Sequence, residues 1–267
     1  MFSRISTWYL FFFRALVFIC HGYGEHCLWY NEVAEMLVKQ GFFVFGHDHM
    51  GHGQSQGDRG DITDFTQYTR DVFKHIEDVR KEVGGDLPVY ILGHSMGGAI
   101  TILASLERPD FFAGLVLIGP AVVPSSDAIG PVRVFLGKLV AKVIPQMVVV
   151  KLDPNLISRD PEIVKRYNDD PLVIHFGIKA RWGVSLLKTL QRLEKECCNV
   201  QCPFLVLHGD QDKYCDMAGS QKLYDEAKSK DKQIKIYKDH YHQLHNELSD
   251  DKAKVLQDIT DWLIQRT

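Results

Sequence analysis

Several features that assign a chain to a specialised class are missing from this sequence. Its six cysteines include no CxxC pair, and it contains no Asn-x-Ser/Thr sequon. These absences disfavour a zinc or thioredoxin-type site and favour a reducing, cytoplasmic compartment. The sequence also has no H-E-x-x-H motif and no phosphate-binding glycine loop, so we expect neither a metal ion nor an organic cofactor.

An excess of positive charge is missing as well. The 31 Lys and Arg residues stand against 34 Asp and Glu residues, which leaves a net charge of −3. A general nucleic-acid binder needs a basic field, so we expect no nucleic-acid partner. With 267 residues, 45% of them hydrophobic and 24% charged, the chain has enough apolar surface for one large α/β domain or two small ones.

Long hydrophobic runs are rare, and the longest one is at the N-terminus. Trp8 to Cys20 is apolar except for Arg14, and it is shorter than the roughly 20 residues that span a bilayer. A secretory signal peptide is one interpretation of this run. We favour a buried strand over Ala15–Cys20, because the loop His21–His26 that follows it resembles a functional loop.

Strand-like and helix-like segments alternate in the first half and in the last third of the chain, which is typical of a parallel sheet with helices packed on it. The spacing of apolar residues predicts strands at Ala15–Cys20, Phe42–Phe45, Val89–Leu92, Leu115–Ile118, Phe204–Leu207 and Ile234–Tyr237. It predicts helices at Trp29–Lys39, Phe65–Val83, Gly97–Leu106 and Ala218–Ala227, and a terminal helix that includes Val255 and Leu263.

The segment from Ala121 to about Val200 interrupts this alternation. It contains four prolines between Pro124 and Pro154 and no convincing strand pair, so we expect a helical insertion on the sheet. Within it, Val132–Val150 is mostly apolar with a few basic residues. This stretch is interpreted either as a helix packed on the domain or as an amphipathic element that contacts an anionic membrane surface.

The motif Gly93-His94-Ser95-Met96-Gly97 matches G-x-S-x-G and lies between a predicted strand and a predicted helix. Glycines flank the serine there because the nucleophile of such a motif occupies a strained turn that projects its hydroxyl away from the sheet. A serine hydroxyl needs a base and a carboxylate, which follow in the chain order Ser, Asp or Glu, His. Ser95 is therefore a candidate nucleophile.

Two loops that follow the last predicted strands supply the remaining groups in that order. In the first loop, Asp210 follows a glycine and is suited to shaping the turn, whereas Asp212 is better placed to reach across the sheet. In the second loop, spacing does not choose among His240, His242 and His245.

An oxyanion hole requires two backbone N–H donors, one of which comes from the residue after the nucleophile. Met96 is that residue. Tyr23, in the glycine-flanked loop His21–Gly24, is a candidate for the second donor. The His-rich segment Asp48–Ser55 resembles a metal site superficially, and we interpret it as a tight structural loop.

Taken together, five segments resemble the α/β-hydrolase superfamily and, within it, the animal monoacylglycerol lipases. They are HGYGEH at 21–26, GHDHMGHGQSQGDR at 46–59, GHSMGGAI at 93–100, ISRDPEIVKRYNDDPL at 157–172 and HGDQDKYCD at 208–216. The resemblance runs from about Arg14 to the C-terminus. It implies a mostly parallel sheet with helices on both faces and an inserted helical cap, with the core at 14–120 and 201–267, the cap at 121–200 and a divergent segment at 1–13.

The resemblance also implies a serine hydrolase that cleaves monoacylglycerols to a fatty acid and glycerol. Ser95, Asp212 and His242 would be the catalytic residues, and Tyr23 and Met96 the oxyanion donors. The glycerol end would be formed by Glu25, His94, Tyr167 and His245, with the Cys215 thiol beside the site. The cap would contact membranes peripherally, which makes the expected location cytoplasmic and membrane-associated.

Two positions depart from the family pattern. Trp29 stands where the family leads us to expect an arginine beside the glycerol end. Relatives carry a strand hairpin before the Ala15–Cys20 strand, which predicts that this strand lacks neighbours and cover. The alternatives are another lipid ester hydrolase, such as a lysophospholipase or carboxylesterase, or an inactive, misfolded variant of the fold.

Overall fold

The centre of the molecule is a six-stranded sheet, seen here in a computed structural model that describes residues 13–84, 86–124 and 139–267. The strand order is β2-β1-β3-β4-β7-β8, and all neighbouring strands are parallel. The strands are β1 (Leu16–Cys20), β2 (Phe43–Gly46), β3 (Val89–His94), β4 (Gly114–Ile118), β7 (Phe204–Gly209) and β8 (Lys232–Tyr237). The predicted strands are therefore confirmed to within about two residues at each end.

The apolar strand β1 lies inside the sheet, paired with β2 on one side and β3 on the other. All residues of Ala15–Cys20 are at most 4% exposed. Successive side chains of a strand point to opposite faces, and here both faces are covered by core side chains. The expectation that this strand lacks neighbours and cover is therefore wrong, because β2 and β3 flank it and helices cover both faces.

Helices pack on both faces of the sheet. The α-helices that lie wholly within the described residues are α1 (Asn31–Lys39), α2 (Thr66–Val83), α3 (Met96–Glu107), α4 (Pro161–Asp169), α5 (Ala180–Glu196), α6 (Met217–Glu226) and α7 (Ser249–Ile264). Apolar residues of α1 and α7 pack on one face, and those of α2, α3 and α6 pack on the other. This arrangement is the parallel sheet with packed helices that the alternating pattern predicts, with helices on both faces as the family resemblance implies.

Between β4 and β7 the chain leaves the sheet, as expected, but it forms one element that the sequence did not indicate. The strands β5 (Val148–Val150) and β6 (Ile178–Lys179) form a short antiparallel pair, so the expectation of no strand pair is wrong. The three consecutive β-branched residues of β5 favour an extended backbone. The predicted amphipathic stretch Val132–Val150 lies partly outside the described residues; its described part is helical at 139–143 and extended at 148–150.

The loops at the carboxyl ends of β1, β3, β4, β7 and β8 meet along one edge of the sheet. This edge is where open α/β sheets bind their ligands. The candidate residues Tyr23, Ser95, Asp212 and His242 all follow one of these strands.

In the described part of the chain, no helix combines the length and the apolar character needed to cross a bilayer.

Candidate active site

Ser95 occupies the turn between β3 and α3, and its backbone is in the left-handed region at φ 55° and ψ −117°. A non-glycine residue with such a backbone is strained, and strain of this kind is typical of functional sites. Gly97 lets α3 begin directly against β1, because a Cβ there would overlap the Cys20 carbonyl oxygen. The Ser95 N–H donates to the Ile118 carbonyl at 3.0 Å, which fixes the turn to the end of β4.

His242 and Asp212 meet at the carboxyl edge of the sheet. His242 Nδ1 lies 2.6 Å from Asp212 Oδ2, and the two side chains are 6% and 1% exposed. The other carboxylate oxygen, Oδ1, accepts the N–H groups of Tyr214 at 2.8 Å and Cys215 at 3.0 Å. These bonds orient the carboxylate towards Nδ1 of the imidazole. The other ring nitrogen, Nε2, therefore faces away from the carboxylate.

The alternative residues in the two loops lie elsewhere. The Asp210 carboxylate accepts the Asp239 N–H at 2.6 Å and so shapes the turn, as its position after a glycine predicts. His240 Nδ1 bonds to the Lys238 carbonyl at 2.6 Å, and the His245 ring stacks on Tyr30 at 4.7 Å. Among the described residues, Asp212 therefore pairs with His242 and with neither of the other two histidines of its loop.

Cys215 links Ser95 to this pair, and Gly119 packs against the pair itself. Ser95 Oγ lies 3.8 Å from Cys215 Sγ. The Sγ atom, a carboxylate oxygen of Asp212 and a ring nitrogen of His242 lie within 4.8 Å of one another. Gly119, after β4, has φ 46°, and a Cβ there would lie 3.3 Å from His242 Nδ1. The serine, the imidazole and the carboxylate therefore share one small space.

This cluster has the ligand types of a metal site, but its hydrogen bonds suit a carboxylate that orients a neutral imidazole better. Both Asp212 oxygens already accept hydrogen bonds. Burial raises the pKa of the Cys215 thiol well above its ordinary value, and the Asp212 charge raises it further. A thiol must lose its proton to bind a metal, so Cys215 is a poor ligand here.

The His-rich loop Asp48–Ser55 is structural, since Asp48 accepts the Cys27 and Gln54 N–H groups.

The electrostatics of the pair favour an ionised acid and a neutral imidazole. Burial alone would raise the pKa of Asp212, but His242 and the hydrogen bonds from His208 and His242 hold it well below its usual range. Burial lowers the pKa of His242 below its ordinary 6.5, and Asp212 opposes that shift without reversing it. A neutral imidazole beside a carboxylate is the form that accepts a proton from a hydroxyl.

The turn that carries Tyr23 packs directly on the serine. A Cβ at Gly22 would lie 3.2 Å from Ser95 Cβ, so only glycine lets the turn approach this closely. The N–H of Met96 is in the first turn of α3, where a helix leaves its N–H groups without internal acceptors. The Tyr23 hydroxyl donates to the Gly177 carbonyl at 2.8 Å and its ring lies 4.0 Å from the Trp182 ring, which ties this turn to the insertion.

The four residues expected at the glycerol end are all buried: Glu25, His94, Tyr167 and His245 are at most 7% exposed. His94 Nε2 and both ring nitrogens of His245 have no hydrogen-bond partner among the described residues. Buried polar atoms of this kind need an explanation, such as a ligand. The Tyr167 ring lies against Gly24, where a Cβ would be 3.3 Å from the phenol oxygen.

Glu25 differs from the other three, because its carboxylate accepts four hydrogen bonds within the protein. Burial alone would raise its pKa, but His94, His245 and the hydrogen bonds hold it well below its usual range. Two of its partners, Tyr30 and Gln243, were not identified from the sequence, and neither was His208, which lies 3.3 Å from Asp212. Gln243 is next to a candidate histidine, whereas no sequence signal distinguishes Tyr30.

Trp29 replaces the arginine that the family pattern predicts, and the structure brings a guanidinium to the same place from another element. The Arg166 guanidinium of α4 lies 4.3 Å from the Trp29 ring centre. The Trp29 indole N–H donates to Asp170 at 3.1 Å, and His26 Nε2 lies 2.8 Å from the same carboxylate. Trp29 therefore links the insertion to the core beside Tyr167.

Comparison with known proteins agrees with this fold. The family model "Serine aminopeptidase, S33" matches residues 13–249. Monoacylglycerol lipase of Paleococcus ferrophilus has a similar structure, with a TM-score of 0.85, 32% identity and 95% of each chain covered. These matches and the sheet define the chain as an enzyme of the α/β-hydrolase class, one that hydrolyses esters.

Relatives covered over most of their length show the group within that class to which the chain belongs. Monoglyceride lipase of Mus musculus is 41% identical over 253 residues, which cover 95% of this chain and 83% of that protein. Monoglyceride lipase of Homo sapiens is 42% identical, with 95% and 84% covered. The chain belongs to the monoglyceride lipase family.

Proposed function

We propose that this protein hydrolyses monoacylglycerols to a free fatty acid and glycerol, with Ser95 as nucleophile. His242 takes the proton from the Ser95 hydroxyl as the oxygen attacks the ester carbonyl carbon. Asp212 holds the imidazole in the required tautomer and stabilises the imidazolium that forms. The single observation that carries the proposal is the strained backbone of Ser95, whose Oγ lies 3.8 Å from Cys215 Sγ in the cluster that holds the buried Asp212–His242 pair.

The tetrahedral intermediate carries a negative charge on the former carbonyl oxygen. The Tyr23 and Met96 N–H groups are positioned by the glycine-flanked turn and by the start of α3 to donate to that oxygen. His242 then protonates the leaving glycerol oxygen, and the acyl group remains on Ser95. In the second half of the reaction, His242 takes a proton from water as the water oxygen attacks the acyl carbon. The bond between the acyl carbon and Ser95 Oγ then breaks, His242 returns the proton to Ser95 Oγ, and the fatty acid leaves.

The glycerol hydroxyls bind, in this proposal, at the polar end formed by His94, His245 and Tyr167. The unpartnered ring nitrogens of the two histidines are the free hydrogen-bonding groups there. A buried polar group without a partner is costly, so a site of this kind selects a ligand that satisfies it. The acyl chain lies under the insertion, which we assign as a cap at 121–200 over a core at 14–120 and 201–267.

A substrate panel tests this function. We expect purified protein to release fatty acid from 1- and 2-oleoylglycerol with a higher kcat/KM than from oleoyl-lysophosphatidylcholine. The names of the relatives, monoglyceride and monoacylglycerol lipases, support this order. A preference for the lysophospholipid would contradict the proposed substrate and would point to Arg166 as a phosphate contact, since its guanidinium lies 4.3 Å from the Trp29 ring centre.

We also propose that the insertion contacts a membrane surface peripherally, from which the substrate enters. Its described part presents apolar side chains to solvent, among them Val143 at 69% and Ile144 at 55% exposed. We expect V143D/I144D to lower co-sedimentation with vesicles of phosphatidylcholine and phosphatidylserine. The matched control is Val38→Asp on α1, where the valine is 54% exposed, close to the value for Ile144. Equal binding of both variants and the parent would contradict this contact.

The acidic limb of the pH profile follows from His242. The reaction requires this imidazole to be neutral, and burial lowers its pKa below 6.5. As the pH falls through that pKa, His242 becomes protonated and kcat/KM is lost; above it, the activity is retained. We therefore expect the acidic midpoint of a kcat/KM profile on a soluble ester to lie below pH 6.5. A midpoint above that value would contradict the assignment.

A further inference from the structure

Glu25 is a buried carboxylate that takes no direct part in the reaction proposed above. Glu25 is only 1% exposed. Oε1 accepts the Gly22 N–H at 2.6 Å, the Tyr30 hydroxyl, and His94 Nδ1 at 2.9 Å. Oε2 accepts the Gln243 side-chain amide at 2.8 Å. A carboxylate has about four acceptor sites, so these bonds leave it little capacity for a substrate hydroxyl.

Three of the four donors belong to residues that are adjacent in the sequence to a residue with a role in the proposed reaction. Gly22 precedes Tyr23, the second oxyanion donor; His94 precedes Ser95; and Gln243 follows His242. These residues come from the loop after β1, the last residue of β3 and the loop after β8, which are far apart in the sequence. One buried carboxylate thus joins the oxyanion turn, the nucleophile turn and the base loop.

We propose that Glu25 is a positioning residue that holds these three loops in register, and that it does not bind glycerol itself. Hydrogen bonds to an ionised group are stronger than neutral ones, and the four bonds to the Glu25 carboxylate restrict the groups that donate them. Catalysis depends on this rigidity, because a displacement of about 1 Å can cost roughly 100-fold in rate. The inference rests on the proposed function of Ser95 and His242.

The negative charge of Glu25 has a second consequence for His242. The titratable groups that face His242 are Asp212, Tyr214 and Cys215 from the loop after β7, His94 from β3, His245 from its own loop, and Glu25. Glu25 and Asp212 favour the imidazolium, and His94 disfavours it. Neutralising Glu25 therefore moves the acidic limb of the activity profile to lower pH.

The test is Glu25→Gln, assayed on 2-oleoylglycerol and on p-nitrophenyl butyrate, an ester without glycerol. A glutamine keeps the shape but replaces one acceptor oxygen with an NH₂ group, which faces the Gln243 amide that Asn246 holds in place. We expect kcat to fall about 10- to 100-fold on both esters, with KM changed less than about threefold. The acidic limb should move to lower pH.

Two further variants make the result interpretable. Glu35→Gln, on the exposed surface of α1, is the matched control and should behave like the parent. Tyr30→Phe removes one donor to Glu25 without changing charge, so it should fold even if Glu25→Gln does not. We expect it to lower kcat severalfold on both esters and to leave the acidic limb in place.

The kinetic results distinguish a positioning role of Glu25 from direct binding of glycerol by Glu25. A higher KM for 2-oleoylglycerol with unchanged kinetics on p-nitrophenyl butyrate would overturn the positioning role and identify Glu25 as a glycerol contact. Parent-like kinetics of both Glu25→Gln and Tyr30→Phe would also overturn it. Failure of the proposed function itself would be visible in the parent, as a lack of labelling of Ser95 by a fluorophosphonate probe.

Discussion

Replacement of Ser95 by alanine is expected to abolish ester hydrolysis, with a loss of kcat of about 10⁴- to 10⁶-fold. The substitution removes the only atom that forms the acyl–enzyme bond in the proposed reaction. The fold should persist, because the turn is held by backbone bonds of Ser95 to Ile118 and Ala121. The measurement is fatty-acid release from 2-oleoylglycerol together with covalent labelling by a fluorophosphonate probe.

The matched control is Cys215→Ala. Cys215 Sγ is 3.8 Å from Ser95 Oγ, so it is the other candidate for attack on the probe, although its raised pKa keeps it a neutral thiol. We expect Cys215→Ala to label like the parent and Ser95→Ala not to label. Labelling of the Ser95→Ala protein would show that Ser95 is not the nucleophile.

Asp212→Asn is expected to lower kcat by about 10⁴-fold while the protein stays folded. An asparagine can still accept the Tyr214 and Cys215 N–H groups through its oxygen. Its NH₂ group then faces His242 Nδ1 and forces the proton onto the other ring nitrogen, which can no longer act as base. The magnitude follows the measured effect of the same exchange in a serine protease. The measurement is kcat on 2-oleoylglycerol beside a thermal unfolding curve.

Asp210→Asn is the control in the same loop. Asp210 bonds to the Asp239 N–H and not to a histidine, so its replacement should change kcat by less than about tenfold. Equal losses from the two variants would mean that Asp212 acts only through the loop's conformation. A larger loss from Asp210→Asn would reverse the assignment of the acid.

The elements of the sheet could be predicted because their signals are local. A buried parallel strand such as β3 is a continuous apolar run, and α2 shows apolar residues three and four apart. Each pattern reflects burial of that segment alone. The β5–β6 pair was missed because its strands have three and two residues and are 27 residues apart, so neither segment carries enough periodicity to indicate a partner.

The neighbours of the N-terminal strand β1 also could not be predicted from its own residues. Its apolar character predicted burial correctly, but the expectation of missing neighbours came from comparison with relatives and not from its own residues. Only the register with β2 and β3 shows that it is an inner strand of the sheet. Strand order depends on crossover connections, which leave no local pattern in the sequence.

By itself, the sequence determined the class of the fold, the serine at the strand-to-helix turn and the order of the acid and histidine loops, because each depends on residues close together in the chain. The tertiary structure brings Asp212 and not Asp210 to His242, as the family resemblance implies, and it alone decided that Arg166 covers Trp29 and that Glu25 joins three loops. These contacts form between segments up to 218 residues apart. The packing of the whole core sets their distances, and hydrogen bonds act only over a few ångströms.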